Sequence, residues 1–358
     1  ETAIELYRQA IRLDSTFAIA YAELAYAYYS KMIIYGASPE WADSAFLIAR
    51  RAVDLDPNLP RGHNVLGITY SLQGRFEDAR EAYLRAVELN PSYSGPLNNL
   101  GFAALNAGRC DEAYEWVTRA HEVDPRGSYA LGNLADAAMC MDMDEEAVRW
   151  LDELEEVEPD FLMVQPMRIW LELKHGRNND ARIRADEWLQ EDPDNLLART
   201  MEAVIVGWNR DVEAAESAFG YLYTEYPEWG FAQMPATIRT GLAWALLEKG
   251  AEDRAREILE ETRQWLDNAR GRNESEVGIL YELAVVSALS GDKEEALAWL
   301  QEAFEIGGGG DYQTTATDPR LDNISGDPRF TSIIEQMAAH VDSMRARVER
   351  GEVELEIG

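Results

Sequence analysis

Small and apolar residues recur along this chain four and three apart, and the pattern itself returns every 34 residues. Ala79, Tyr83 and Ala86 come back as Ala113, Val117 and Ala120, then as Ala147, Leu151 and Leu154. Pro91, Pro125, Pro159, Pro193 and Pro227 keep the same interval. Upstream of each set lies a second pattern: Leu66-Gly67 with Tyr70, Leu100-Gly101 with Ala104, and Leu134-Ala135 with Ala138. It ends at Gly74, Gly108 or Asp142. Spacing of this kind predicts two amphipathic helices of about a dozen residues per repeat. The glycine caps the first helix. Acids such as Glu77-Asp78 and Asp111-Glu112 open the second, where the macrodipole favours negative charge. The proline ends the unit because it cannot continue a helix. Gly67, Gly101, Ala79 and Ala113 let the two helices approach closely. A single hairpin of this length cannot bury its apolar face, whereas stacked hairpins can.

The set Leu66-Gly67-Tyr70-Gly74-Ala79-Tyr83-Ala86-Pro91 resembles the tetratricopeptide (TPR) motif, and the next two repeats carry it almost as fully. The resemblance implies an all-α fold, a right-handed superhelical α-solenoid of TPR-type helical hairpins with a C-terminal capping helix. Residues 1–16 read as the second helix of a truncated repeat, with Ala3, Tyr7, Ala10 and Leu13. Residues 17–161 read as regular repeats, with an insertion near 29–41 that predicts longer helices or a protruding loop and a second helix starting at Ser38-Pro39-Glu40. Residues 162–275 read as divergent TPR-like repeats. There Arg168 and Glu202 stand where the family has leucine, which predicts a shifted register. Residues 276–306 return to the pattern. Residues 307–358 read as an irregular loop, broken at Gly307–Gly310, and a final helix over about 331–350 that covers the open end of the array. This tail, with Asp318-Pro319-Arg320-Leu321 and Gly326-Asp327-Pro328-Arg329-Phe330, resembles the ends of TPR arrays in bacterial adenylate or guanylate cyclases, serine/threonine kinases and winged-helix regulators. That resemblance implies the interaction or regulatory part of a larger bacterial signalling protein. A start at Glu1, inside a helical pattern, agrees with a piece of a longer chain. The compartment, bacterial cytoplasm or periplasm, then depends on the part preceding it.

Charge narrows the choice of partners. With 33 basic and 66 acidic residues the net charge is −33, and only four of the cations are lysines, Lys31, Lys174, Lys249 and Lys293. Phosphate backbones are held by clustered Lys and Arg, so no nucleic-acid partner is expected. Anionic membranes are disfavoured too, and no apolar run nears the roughly 20 residues that span a bilayer. The acids are spread over every repeat, which favours adaptation to saline surroundings over selection of a basic partner.

Candidate chemistry adds little. Cys110 and Cys140 lie in neighbouring repeats, so a bridge is conceivable, but two cysteines in this length read as two free thiols. His63, His121, His175 and His340 are scattered singly, without metal-ligand spacing. The run Asp142–Glu146 lacks the glycine and spaced ligands of a calcium loop and reads as a helix start. Gly307–Gly310 precedes no Lys-Ser/Thr and reads as a turn. Asn273-Glu274-Ser275 matches a glycosylation triplet of the kind that arises by chance. Trp116, Trp150, Trp188, Trp265 and Trp299 fall on second helices and read as core. No catalytic residues, metal site or cofactor are expected, and the chain reads as a non-enzyme.

In the TPR family the second, fifth, ninth and twelfth positions of each repeat face a concave groove. Here the resemblance places Arg61, Asn64, Asn98, Phe102, Tyr129 and Asp136 there, beside Ile68, Ser71, Gly95, Leu105, Gly132 and Met139. Asn99 and Asn133, at the sixth position, either bond a peptide backbone or serve the fold. A clamp for C-terminal carboxylates is not expected: Asn64 replaces its first lysine, Ile68 its first asparagine, and Tyr129 and Asn133 its later lysine and arginine. The reading is a protein-interaction scaffold taking a peptide or partner protein on apolar anchors. Two alternatives stand beside it. One is a structural or self-associating array that joins effector domains through Met32, Ile33, Ile34 and Tyr35. The other is small-molecule sensing within 162–275.

Overall fold

The computed structural model describes residues 2–35, 39–227, 234–270, 276–307 and 312–355. Asn273-Glu274-Ser275 and Gly308–Gly310 lie outside the described residues, as do the side chains of 33–40, including Ile33, Ile34 and Tyr35. Among the described residues the chain is helical, with no strand. In order the helices are α1 (Thr2–Leu13), α2 (Ala18–Tyr35), α3 (Pro39–Leu55), α4 (Pro60–Leu72), α5 (Phe76–Leu89), α6 (Ser94–Asn106), α7 (Cys110–Val123), α8 (Ser128–Cys140), α9 (Asp144–Val157), α10 (Val164–Lys174), α11 (Asn178–Glu191), α12 (Leu196–Trp208) and α13 (Val212–Glu225). There follow α14 (Met234–Glu248), α15 (Glu252–Arg270), α16 (Glu276–Leu289), α17 (Lys293–Glu305), α18 (Tyr312–Thr317), a 3-10 turn (Pro319–Leu321), α19 (Asp322–Ser325) and α20 (Pro328–Arg350).

Helices α5, α7, α9, α11 and α13 begin at residues 76, 110, 144, 178 and 212, so the 34-residue step persists through the divergent stretch. The shifted register expected there is absent. Ile169 and Ala203, next to Arg168 and Glu202, are fully buried in the register of Gly67 and Gly101. Arg168 is tolerated because its guanidinium pairs with Asp152 at 2.6 Å and Glu155 at 3.0 Å. The extra length before Trp41 goes into the helices: α2 has 18 residues and α3 has 17, against 13 and 14 for α4 and α5.

The chain forms two compact units. The first comprises residues 1–104 and 112–133 with the last few residues. In it Ile4, Leu24, Tyr28 and Ala45 form one buried cluster, and Ala25, Ala49, Val65 and Leu66 the next. Gly67 and Gly101 set the spacing of its hairpins. A Cβ on Gly67 would come within 2.5 Å of the Tyr83 ring, and one on Gly101 within 2.2 Å of Val117. Full burial of a Leu or Ile contributes roughly 1.5–3 kcal/mol, so packing outweighs local propensity in holding these short helices.

The second unit comprises residues 105–111 and 134–353. Its core runs from Ile169 and Leu173 through Phe219, Leu242 and Ile258 to Leu283. The described cavity there, beside Val204 and Trp244, holds about 10 Å³, room for one water at most. Within this unit Cys110 and Cys140 form a disulfide, with Cα atoms 6.2 Å apart, so the expectation of free thiols is wrong. Cys110 opens the second helix of one repeat and Cys140 closes the first helix of the next, and hairpin stacking brings those ends together.

The tail does more than cover an end. Phe330, Ile333 and Met337 of α20 pack with Leu297 and Leu300 of α17. Farther along α20, Arg345 reaches the Met141 carbonyl at 3.3 Å and Arg347 pairs with Asp111 at 2.6 Å. Tyr312 and Gln313 hydrogen-bond Asp142 at 2.9 and 2.8 Å, and Arg210 pairs with Asp322. The tail thus runs across the turns between first and second helices.

Candidate partner-binding groove

A groove of about 460 Å³ opens in the first unit. Its walls come from α2, α4, α6, the start of α8 and the loops before α6 and α8. Tyr26, Tyr29, Arg61, Asn64, Tyr93, Asn98, Asn99, Asp124 and Tyr129 line it.

Arg61 projects from the first turn of α4. Its Nε donates to Glu23 Oε1 at 2.6 Å and its Nη2 to Glu23 Oε2 at 3.1 Å. Nη1 donates to the Tyr93 hydroxyl at 2.9 Å, and the guanidinium lies 4.3 Å from the Tyr26 ring centroid. Both ends of the Glu23 carboxylate are engaged, so Arg61 builds the wall and its charge is met within the protein. Asn64 is buried and donates to the Tyr93 hydroxyl at 3.3 Å.

The asparagines form a ladder between successive repeats. Asn99 Nδ2 donates to Asn64 Oδ1 at 3.0 Å, and Asn133 Nδ2 donates to Asn98 Oδ1 at 3.0 Å. Of the two roles open to Asn99 and Asn133, these bonds serve the fold, because each spends an amide N–H on the preceding repeat. Asn98 Nδ2 has no acceptor among the described residues. Tyr129 is 73% exposed. Tyr29 is largely buried; burial first, then the neighbouring Tyr26 and Tyr129 phenols, push its hydroxyl above the usual phenol range.

Of the eight residues expected in the groove, Arg61, Asn64, Asn98, Asn99 and Tyr129 line it together. Phe102 is exposed on α6 outside the lining, Asn133 supports Asn98 from behind, and Asp136 belongs to the second unit. Tyr26 and Tyr29 were not expected, although they stand at the ninth and twelfth positions of the first complete repeat. Tyr93 and Asp124 come from loops that the position rule does not cover.

Family models described as tetratricopeptide repeat match residues 60–93 and 277–302, and one described as TPR repeat matches 1–31. The chain carries tetratricopeptide repeats. No curated protein sequence matches it significantly. Among solved structures, this TPR chain is similar to the human IFIT1 dimer with PPP-AAAA, at 16% identity and TM-score 0.55 over 85% of this chain and 67% of that one. It is similar to PilW, a type IV pilus biogenesis factor, at 16% identity and TM-score 0.51 over 62% of this chain and 97% of that one. Yeast Tom70 follows at 15% identity and TM-score 0.50, over 87% and 61%. At such identities the shared property is the fold alone, a TPR solenoid. Among the described residues no helix is long and apolar enough to cross a membrane, and no cluster of His, Cys, Asp or Glu has metal-binding geometry.

Proposed function

We propose that this TPR protein is an interaction scaffold whose first unit takes an extended segment of a partner protein in the tyrosine-walled groove, as the regulatory part of a larger bacterial signalling protein. The observation that carries the reading is the chemistry of the groove. Tyr26, Tyr29 and Tyr129 supply large, rigid contact area at low entropic cost. Asn98, whose Oδ1 is held by Asn133, turns an Nδ2 donor to a peptide carbonyl. Arg61 is already neutralised by Glu23, so the groove has no cation with which to clamp a terminal carboxylate. Binding then rests on aromatic anchoring with polar orientation.

The test is affinity capture from a lysate of the source cell, with the wild-type chain and an Asn98→Ala/Tyr129→Ala variant as bait. A partner retained at both low and high salt and lost with the variant supports the reading. Equal capture by both baits contradicts it. A partner retained only at low salt points to the acidic surface instead.

A further inference from the structure

The second unit carries the same kind of face as the groove, and the chain's own tail lies on it. Thr240 and Tyr281 stand at the fifth position of their repeats, Glu282 at the sixth, and Trp244 at the ninth. These are the positions that supply Asn64, Asn99 and Tyr26 in the first unit. Against them lies the turn Asp318-Pro319-Arg320-Leu321. Arg320 donates from Nη1 to Thr240 Oγ1 at 2.8 Å and to Glu282 Oε1 at 3.0 Å. Tyr281 donates to Asp318 Oδ2 at 2.8 Å. Glu282, Asp318, Arg320 and Leu321 are all at most 6% exposed.

Two features mark this turn as a ligand-like element and not as an extra helix of the array. Leu321 anchors it in the cluster with Ala284, Val285 and Leu297, but three residues offer little apolar area, so its specificity comes from a buried arginine read by a carboxylate and a hydroxyl. Its conformation is also locally determined. Asp318 Oδ1 accepts from the backbone N–H of Arg320 at 2.9 Å and from its Nε at 3.0 Å. The same turn recurs at Asp327-Pro328-Arg329, where Asp327 Oδ1 accepts from Arg329 N at 2.9 Å and Nε at 3.0 Å. A short free peptide of this sequence can therefore present the same preorganised shape.

We propose that the first-helix face of the second unit is a recognition site for an Asp-Pro-Arg-apolar peptide segment, occupied in cis by residues 318–321, so that a partner carrying this chemistry binds by displacing the tail. A tethered segment competes at an effective concentration on the order of mM. The free ligand must match that concentration, or the tail must first be weakened, before the site opens.

The probe is the acetylated and amidated peptide Thr-Asp-Pro-Arg-Leu-Asp-Asn, copied from residues 317–323, with a version carrying Gln in place of Arg as control. Hydrogen exchange is followed on the wild-type chain with each peptide at about 10 mM, several times the effective concentration. The proposal expects amides of 318–324 to exchange at least about tenfold faster with the arginine peptide, while α16 keeps its protection and the control has no effect. Unchanged exchange at 318–324 overturns it. A second arm uses Arg320→Gln, which should bind the labelled arginine peptide at least about tenfold more tightly than wild type and lose that binding when Glu282→Gln is added. A folded Arg320→Gln chain that binds no better than wild type also overturns the proposal. Should this variant lose helicity, the wild-type exchange result decides. A concentration-dependent dimer that exchanges tails but ignores the free peptide would assign the site to a second copy of the chain and overturn the proposal as stated.

Discussion

Single residues at the turn between first and second helices carry more than the turn. That position has left-handed φ at Gly74, Gly108 and Gly176, and also at Asp142 and Arg210, both at 57°. A non-glycine residue there costs roughly 1–2 kcal/mol, and both exceptions use their side chains to hold the tail. Asp142 meets Lys174 at 2.6 Å as well as Tyr312 and Gln313. Burial works against its charge, but the bonds from Lys174, Gln313 and Tyr312 outweigh it and hold the carboxyl below the ordinary aspartate value. A depressed folded pKa stabilises above the unfolded value near 4 and is lost as pH falls below it. Asp142→Asn keeps a residue that tolerates left-handed φ. Its melting temperature should therefore fall less steeply than wild type between pH 5 and 3, and parallel pH profiles would contradict the assignment. Gly108 gives a sterically simpler case. A Cβ there would lie 1.7 Å from the Gly307 carbonyl oxygen, at φ 67°. Gly108→Ala should destabilise by more than about 1 kcal/mol, read as a lower denaturant midpoint at unchanged m-value; a neutral result would contradict the contact.

At the scale of elements, the disulfide ties the start of α7 to the end of α8 across 30 residues. It lies beside both anchors of α20, since Asp111 follows Cys110 and Met141 follows Cys140. In the chain-entropy model such a loop is worth about 3–4 kcal/mol. A Cys110→Ser/Cys140→Ser chain should melt well below the oxidised wild type and no longer respond to reductant, and an equal melting temperature would contradict a closed bridge. The helical hairpins were legible in the sequence because their determinants are local. Gly74, Ala79, Tyr83 and Pro91 each act within one repeat, and the 34-residue step repeats the signal. Arg168 misled because its charge is answered by Asp152 and Glu155 on a neighbouring helix, and one residue's polarity does not report its partners. The disulfide was legible only as a possibility, since the spacing of two cysteines does not say which helix ends meet. The tail contacts were not legible at all: Asp142 and Tyr312 are 170 residues apart, and nothing in either sequence names the other. Five of the groove residues were legible because they follow the repeat position. Tyr93 and Asp124 were not, because loops carry no such rule.

For the whole molecule, 66 acids against 33 bases leave a net charge of −33. Local pairs such as Arg263 with Glu295, whose carboxyl the guanidinium holds down to about 2, do not change that sum. Self-repulsion then opposes the compact state, and salt relieves it by shortening the Debye length from about 30 Å at 0.01 M to about 8 Å at 0.15 M. The melting temperature should rise by a few degrees over that range, and a flat or falling trend would show that the paired charges dominate. The same acidity weights encounter toward cationic partners without defining the contact surface; the contact surface proposed above is the first unit's groove, with a partner segment against Tyr129. The most direct measurement is site-specific photo-crosslinking with p-benzoylphenylalanine at position 129, compared with position 81, where Glu81 is exposed on the second helix α5. A partner held in the groove should crosslink from 129 and not from 81, and Asn98→Ala should reduce the yield. Crosslinking from 81 with none from 129 would contradict this and move the interaction off the groove.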